Sequence, residues 1–410
     1  QFSEASYIAV FGHSGSQAPQ LIQSSVILIA IFLFATKLTN IFVWKNYNLN
    51  LNQRISLFAK LGSLFKDYED NNLDGKTKKL FNEAIENSIA HNSFFTKENI
   101  NKSLSTWAKS LTKKSINNFI SNYSLKENII PKKVAIIMAG NIPLVGFHDF
   151  LCVILSGNIA VIKLSSKDYH LLNYILDYLT SENHNFSNHF EVCNEKLNEF
   201  DAVIATGNNI SADQFDLYFK SYPRIIRRNR HSIAVLEGDE SNSDLELLAN
   251  DIFYYYGLGC RNVSKIFIPL KYNLDKLFKS FMSWKEVINK NSYANNYDYY
   301  RTIYLLNKEN FYDNGFVLLK ESNKIGSPVG TIYFEYYDCL EDVFKIIENN
   351  SEKIQCIVSK IKGVNKTYFG QTQEPKIDDY ADNVDTFDFL LKLNWFSPIF
   401  FEVFFVILRF

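Results

Sequence analysis

Three short apolar runs, each followed by a polar turn and a helical stretch, most constrain what this chain can fold into. The runs are Val134–Met138, Ile159–Leu164 and Ala202–Ala205, and Gly, Ser or Asn residues follow each of them. This alternation predicts parallel β-strands that are joined by crossover helices. Because parallel sheets bind ligands at the carboxyl ends of their strands, we expect a ligand site at these turns.

The length and composition favour two domains over one. The chain has 410 residues, and 47% of them are hydrophobic, which is enough to bury a sizeable core. Forty-three basic and 44 acidic side chains give a net charge of -1, so no overall field attracts nucleic acid. The five cysteines form no CxxC pair, which favours a reducing compartment and disfavours a zinc site. We therefore expect a cytoplasmic protein that needs no metal and binds no nucleic acid.

The two ends of the chain differ in composition from its middle. Val26–Ala35 is wholly apolar but shorter than the roughly 20 residues of a membrane span. Trp395–Phe410 is almost entirely aromatic and aliphatic. We interpret residues 1–48 as an N-terminal extension and residues 394–410 as an apolar tail. Both are either translation outside the true reading frame or a weak membrane anchor.

A cysteine between glycines is the strongest single candidate for catalysis. In GLGCRN, residues 257–262, the glycines allow a substrate to approach Cys260, and Arg261 adds positive charge that favours a thiolate. On this motif alone, Cys260 is either a nucleophile or a small packed hydrophobic residue. The chain contains no GxGxxG or GxxxxGK[ST] motif, so phosphate recognition must use other groups.

The second candidate is Asn141 in the AGNIP turn, which ends the first apolar run. An amide N–H at such a turn can stabilise a developing oxyanion, an effect of about 3 kcal/mol. The alternative is an asparagine that caps its own turn.

Several segments along the chain resemble one known family. They are MAGNIPLVGFHDF, VIKLSSKD, FDAVIATGNN, PRIIRRNR, FYYYGLGCRNVSK, YFGQTQEP and DYADNVDT. In this order they resemble the LuxC-like acyl-CoA reductases of the aldehyde dehydrogenase superfamily, from about Leu49 to Leu393. The resemblance implies an α/β, aldehyde-dehydrogenase-like fold with two parallel-sheet domains. We assign a cofactor-binding domain to residues 49–235, and a catalytic domain with a C-terminal arm to residues 236–393.

The resemblance also implies roles for individual residues. Cys260 matches the family nucleophile, and Asn141 resembles the asparagine of the oxyanion hole. Glu237 lies in VLEG, where oxidising relatives carry a general base in ELGG, although the second glycine is missing here. Six residues match cofactor contacts, at the ribose or at a helix N-terminus that meets the pyrophosphate: Lys163, Ser165, Ser166, Thr206, Gly207 and Asn208.

The implied reaction is reduction of a long-chain fatty acyl-CoA to the aldehyde by NADPH, through a thioester on Cys260. Coenzyme A carries the substrate, and no metal is required. Arg227, Arg228 and Arg230 are candidate ligands for the phosphates of CoA or NADPH, or else a solvated face. In LuxC-type systems the aldehyde feeds luciferase and the reductase works with an acyl-protein synthetase. The resemblance therefore also implies an acyl-protein synthetase partner, as well as a homo-oligomer.

Three alternatives stay open. An aldehyde dehydrogenase working in the oxidising direction would use Glu237 as its base. An acyl transferase or thioesterase would use Cys260 without a nicotinamide cofactor. A membrane-associated interaction protein would depend on the apolar ends of the chain.

Overall fold

The structure, a computed structural model, describes residues 49–125, 130–193, 196–361 and 367–393. The two apolar ends set apart above lie outside these residues. None of the helices within the described ranges is long and apolar enough to cross a membrane.

In the described part of the chain, four helices precede the first strand. The apolar spacing that begins at Leu51 predicts the first helix, and its buried face includes Ile55, Phe58 and Leu61. Asn50 fixes the start of this helix, because its side chain accepts the Gln53 N–H at 3.0 Å. The four helices are α1 (Leu51–Glu69), α2 (Gly75–His91), α3 (Lys97–Ser110) and α4 (Lys113–Ile120).

The first sheet has five parallel strands in the order β3-β2-β1-β4-β5. Its elements are β1 (Lys133–Ile137), α5 (Phe147–Leu155), β2 (Ile159–Lys163), α6 (His170–Glu182), β3 (Phe190–Val192), β4 (Ala202–Thr206), α7 (Asn209–Tyr218) and β5 (Arg224–Arg227). The predicted strand, turn and helix units are confirmed as β1, β2 and β4 with the helices that follow them. Because β1 pairs with β2 on one side and β4 on the other, the strand order reverses beside β1, where such sheets bind ligands.

The second sheet has six strands in the order β11-β6-β7-β10-β9-β8, and only the β8–β9 pair is antiparallel. Its elements are β6 (His231–Val235), α8 (Asn242–Phe253), β7 (Val263–Pro269), α9 (Leu274–Phe281), α10 (Asn291–Leu306), β8 (Tyr312–Asp313), β9 (Leu318–Glu321), β10 (Thr331–Tyr337), α11 (Leu340–Asn349) and β11 (Ile354–Ser359). The chain passes between the sheets after Arg227, so β6 joins the second sheet although it precedes the predicted boundary at residue 235.

The C-terminal segment, residues 367–393, connects the two cores. Phe369 packs into the core of the second sheet, whereas Ile377, Tyr380 and Phe387 pack into the core of the first. The segment ends in helix α12 (Thr386–Lys392). The arm that follows the second sheet in sequence is therefore packed against the first domain.

The Ser and Asp side chains of the turn after β2 do not cap the helix that follows it. The N-cap of α6 is Tyr169, which makes no side-chain capping bond. Asp168 instead accepts the N–H of Leu144 at 2.8 Å. Because Leu144 has left-handed backbone geometry, with φ of 58°, the buried carboxylate stabilises the turn after β1.

Candidate active site

The turns after β1, β2 and β4 meet at one edge of the first sheet. Ile137 of β1 pairs with Lys163 of β2 and with Ala205 of β4, so the residues that follow these three positions lie side by side. All of the cofactor residues predicted from the sequence stand at this edge: Lys163, Ser165, Ser166, Thr206, Gly207 and Asn208.

The turns after β1 and β2 are packed tightly together. The Ser165 side chain leaves no space for a Cβ atom at Gly140. The Asn92 amide donates to the carbonyl groups of Gly140 and Lys167, at 2.9 and 3.3 Å. These contacts connect the turn that carries Asn141 to the turn that carries the predicted ribose contacts.

The donor groups at this edge fit the phosphates and hydroxyls of a dinucleotide. Helix α7 begins at Asn209, two residues after Gly207, and its N-terminal N–H groups favour a bound anion. Asn208 caps the helix by accepting the Ser211 N–H at 2.9 Å. Gly207 packs so closely against Ser211 that a Cβ there would lie 2.9 Å from the serine Cβ. In the described ranges, no group of three or more His, Cys, Asp or Glu side chains could hold a metal ion.

Cys260 lies in the loop between α8 and β7, and Asn262 holds this loop in place. The buried Asn262 amide nitrogen lies 2.8 to 3.1 Å from three carbonyl oxygens at the end of α8. Its oxygen accepts the Gly259 N–H at 2.9 Å. A Cβ at Gly259 would approach that oxygen to 2.9 Å, so the close packing of the loop requires glycine.

Asn141 and the Cys260 loop meet across the two domains. The Asn141 amide donates to the carbonyl of Leu258 at 2.8 Å, two residues before Cys260. Asn141 is exposed and Cys260 is half-buried, so a ligand can reach both. Because an amide nitrogen carries two hydrogens, Asn141 keeps one donor for an oxygen atom near the thiol.

The Cys260 thiol has a mixed electrostatic environment. Burial raises its pKa to about 11, while the positive charge of Arg261 acts in the opposite direction. The effect of the Arg261 charge on the thiol is reduced, because Arg261 forms an ion pair of 2.7 Å with Asp379. It also contacts the sulfur of Cys356 at 3.3 Å. The activation that the sequence predicts from Arg261 is therefore partly offset.

The structure corrects the assignment of Glu237 as a general base at Cys260. Ser232, near the start of β6, donates to the Cys260 carbonyl at 3.0 Å. Glu237 follows the opposite end of β6, five positions after Ser232, which corresponds to about 16 Å of extended chain. Its side chain is exposed, and its backbone N–H donates to Glu240.

We expect the substitution Glu237→Gln to change the turnover of acyl-CoA and of aldehyde by less than about twofold, since general-base loss would cost about 100-fold or more. Steady-state rates in both directions measure this. A loss of aldehyde oxidation alone would return Glu237 to the role of base.

The three arginines predicted as phosphate ligands, Arg227 at the end of β5 and Arg228 and Arg230 after it, all lie in ion pairs. A carboxylate of the protein offsets each guanidinium charge, and burial contradicts the phosphate role for Arg227. Arg227 is 4% exposed and cannot reach a ligand in solution. The ion pairs are Arg227–Asp149 (2.6 Å), Arg228–Asp213 (2.5 Å) and Arg230–Asp382 (3.2 Å).

Asn92, Asp168 and Asn262 shape the site but escape prediction from the sequence. Their side chains bond to backbone groups of distant segments, and no spacing rule reports such contacts. The one available signal is the position of Asn262 as the last residue of the GLGCRN motif.

The Asp168 carboxyl should make the free energy of unfolding depend on pH. It is 8% exposed, and its Oδ1 atom has no hydrogen-bond partner. Burial raises its pKa from 3.8 to about 7. Between these values the unfolded chain binds fewer protons than the folded chain, so the free energy of unfolding falls as pH rises. The full effect is about 4 kcal/mol, at about 1.4 kcal/mol for each pKa unit.

We expect Asp168→Asn to gain thermal stability relative to the wild type as pH increases from 5 to 8. Unfolding midpoints across this range measure the effect, with the exposed Asp239→Asn as the matched control. Parallel pH profiles for wild type and Asp168→Asn would contradict the assignment.

Comparison with solved structures identifies the fold. Aldehyde dehydrogenase 21 from Physcomitrella patens, solved with the reaction product succinate, has a TM-score of 0.60 at 11% identity, covering 84% of this chain and 85% of that one. An aldehyde dehydrogenase from Mycobacterium tuberculosis, complexed with NAD+, has a TM-score of 0.55 at 12% identity, covering 76% and 73%. The aldehyde dehydrogenase KauB from Pseudomonas aeruginosa has a TM-score of 0.53 at 13% identity, covering 80% of each chain. The predicted aldehyde-dehydrogenase-like fold is confirmed.

The sequence comparison identifies the family. A search of the curated proteins found no match to the chain. The acyl-CoA reductase (LuxC) family matches residues 47–277, which is more than half of the 410 residues. This range includes Asn141, Lys163 and Cys260, and it confirms the resemblance seen in the sequence motifs. The chain therefore belongs to the LuxC acyl-CoA reductase family.

Proposed function

We propose that the protein reduces long-chain fatty acyl-CoA to the fatty aldehyde with NADPH, through an acyl thioester on Cys260. The observation that carries this proposal is the contact of Asn141 with Leu258, which sets an amide donor beside a half-buried thiol. Family membership supports the acyl-CoA substrate. The choice of NADPH as cofactor and of long-chain acyl groups as substrates is based on the family resemblance.

The carboxyl edge of the first sheet is the proposed cofactor site. Lys163, Ser165 and Ser166 would contact the adenosine ribose, and residues 206–208 would bind the pyrophosphate at the start of α7. A similar fold in the Mycobacterium tuberculosis aldehyde dehydrogenase was solved with NAD+, which supports a nicotinamide cofactor here. Bound NADPH supplies the hydride that reduces the acyl group.

The residues of the chain perform the acyl transfer. The Cys260 thiolate attacks the carbonyl carbon of the acyl-CoA thioester, and the CoA thiolate leaves with the electron pair of the broken C–S bond. Negative charge develops on the carbonyl oxygen in this step and again during reduction. The Asn141 amide and the Cys260 backbone N–H would donate to this oxygen and stabilise it.

The position of Glu237 favours reduction over oxidation. Hydrolysis of the acyl-enzyme to an acid needs an activated water, whereas release of an aldehyde does not. Because Glu237 follows the far end of β6 from Cys260, it does not supply that base.

The proposed setting is the cytoplasm, where the five cysteines, all free in the structure, would stay reduced. Family resemblance adds two proposals about assembly: a homo-oligomer, and an acyl-protein synthetase as a partner.

The test is consumption of NADPH by the full chain with myristoyl-CoA, with the aldehyde product identified by mass spectrometry. NADH and a series of shorter acyl-CoA substrates are run in parallel. NADPH oxidation with stoichiometric aldehyde supports the proposal. Acylation of Cys260 without oxidation of either nicotinamide would overturn it in favour of an acyl transferase.

A further inference from the structure

The C-terminal arm contacts the helix that follows the Asn141 turn. His148 lies in the first turn of α5, seven residues after Asn141. Its Nε2 atom lies 2.8 Å from the carbonyl oxygen of Ile377 in the arm. Because a carbonyl oxygen only accepts, Nε2 carries the hydrogen of this bond. The buried Ile377 side chain packs into the core of the first sheet. The arm is therefore fixed at this point to the half of the site that carries Asn141.

Two residues later, the arm binds the loop of the nucleophile. Arg261, directly after Cys260, reaches the Asp379 carboxylate with both terminal guanidinium nitrogens, at 2.7 and 2.9 Å. It also donates to the Asp379 backbone carbonyl at 3.1 Å. The Arg261 side chain is only 12% exposed. A bidentate pair of this kind fixes direction as well as distance, unlike most ion pairs at a protein surface.

This pair differs from the other anchors of the loop. Asn262 fastens the loop within the second domain, to the end of α8. Asn141 contacts the loop at the Leu258 carbonyl, but the same amide is proposed to bind the substrate oxygen. A bond that is shared with the reaction cannot by itself fix the distance between thiol and amide. The Arg261–Asp379 pair takes no part in the acyl transfer, so it can hold the loop throughout the reaction.

We propose that Arg261 and Asp379 form a positioning pair, which ties the Cys260 loop to the C-terminal arm and so sets its placement relative to Asn141. This inference rests on the proposed reductase function. Placement of a nucleophile beside an oxyanion donor is demanding, because a displacement of about 1 Å can cost about 100-fold in rate.

The test compares Asp379→Ala with Arg261→Lys in the full chain. The first removes the carboxylate, and the second keeps the positive charge but loses the planar fork that binds a carboxylate through two nitrogens. We expect kcat for acyl-CoA reduction to fall by at least about 10-fold in each variant, with KM nearly unchanged. Asp378→Ala is the matched control, because this neighbouring exposed carboxylate makes no side-chain hydrogen bond or ion pair within the described ranges.

A second readout separates placement from activation of the thiol by charge. Alkylation of Cys260 by iodoacetamide, followed on its peptide by mass spectrometry, needs no oxyanion donor. The Arg261 charge favours the thiolate, and the Asp379 carboxylate offsets that charge. Alkylation of Asp379→Ala should therefore be at least as fast as that of the wild type, although its kcat is lower. An arginine that acted by charge alone would instead give a higher kcat in Asp379→Ala and the wild-type kcat in Arg261→Lys.

Each outcome has one meaning. If the wild type does not reduce acyl-CoA, the proposed function fails and the positioning role fails with it. If the wild type is active but both folded variants match Asp378→Ala, only the positioning role is wrong. It is also wrong if alkylation and kcat fall together, or if the effects of Asp379→Ala and Arg261→Lys add in the double variant, since both substitutions should break one contact. Should Asp379→Ala not fold, Arg261→Lys decides by the same two readouts.

Discussion

Replacing Cys260 with alanine should lower kcat/KM for acyl-CoA reduction by at least about 1,000-fold, because no acyl-enzyme can then form. The fold should survive, since the side chain is half-buried and its loop is held by Asn262 rather than by the thiol. Binding of the nicotinamide cofactor should persist, because the proposed contacts lie on the first sheet. Coupled assays of turnover and fluorescence titration of NADPH measure the two properties separately.

The matched control for this variant is Cys339→Ala, which removes a thiol that is exposed on the second domain. Its turnover should equal that of the wild type. If Cys260→Ala retains reduction while Cys339→Ala loses it, the nucleophile has been assigned to the wrong cysteine. If neither variant loses activity, the reaction does not pass through a thioester on these residues.

The reactivity of Cys260 should also rise steeply with pH. Burial raises the pKa of this thiol to about 11, so below that pH the thiolate is the minor form. Its population grows about tenfold for each pH unit, and alkylation by iodoacetamide should follow this increase between pH 7 and 10. Arg261→Met should slow alkylation further, since the arginine lowers the pKa of the thiol. A plateau below pH 8 would contradict a pKa of about 11 for this thiol.

Local patterns in the sequence predict the strands and turns of the first sheet. The apolar runs that overlap β1, β2 and β4 alternate with polar turns, and this alternation is typical of buried parallel strands. The predicted cofactor residues then fall at one edge, since the carboxyl ends of parallel strands lie together. The proximity of Asn141 to the Cys260 loop cannot be predicted from such local patterns, because it depends on how two separate sheets face each other.

Side-chain partners over long sequence separations explain the errors. Arg227, Arg228 and Arg230 look like a free basic cluster in sequence, but residues from α5, α7 and the C-terminal arm supply their carboxylates. Glu237 looks like a shifted ELGG motif, and only the pairing of β6 with β7 shows that it stands at the wrong end of the sheet. Such contacts are set by tertiary packing, which overrides motif likeness.

The buried Arg227 should contribute strongly to the stability of the fold. Its guanidinium pairs with Asp149 of α5 at 2.6 Å and donates to the Ala381 carbonyl and the Thr386 hydroxyl, each at 2.8 Å. Arg227→Ala would leave Asp149 buried without its cation and would release the C-terminal arm from β5. We expect the free energy of unfolding to fall by about 3 to 5 kcal/mol.

Because a phosphate ligand would behave differently, thermal unfolding and cofactor titration together decide the role of Arg227. Arg227→Ala should lower the unfolding midpoint strongly, whereas the exposed Arg228→Ala should leave it almost unchanged. The double variant Arg227→Met/Asp149→Leu removes both charges, so it should recover much of the lost stability, since well-packed apolar side chains can replace a buried ion pair. A weakened affinity for NADPH with an unchanged midpoint would instead place Arg227 at a phosphate. In that case the double variant would not recover the affinity for NADPH, because it still lacks the arginine that binds the phosphate.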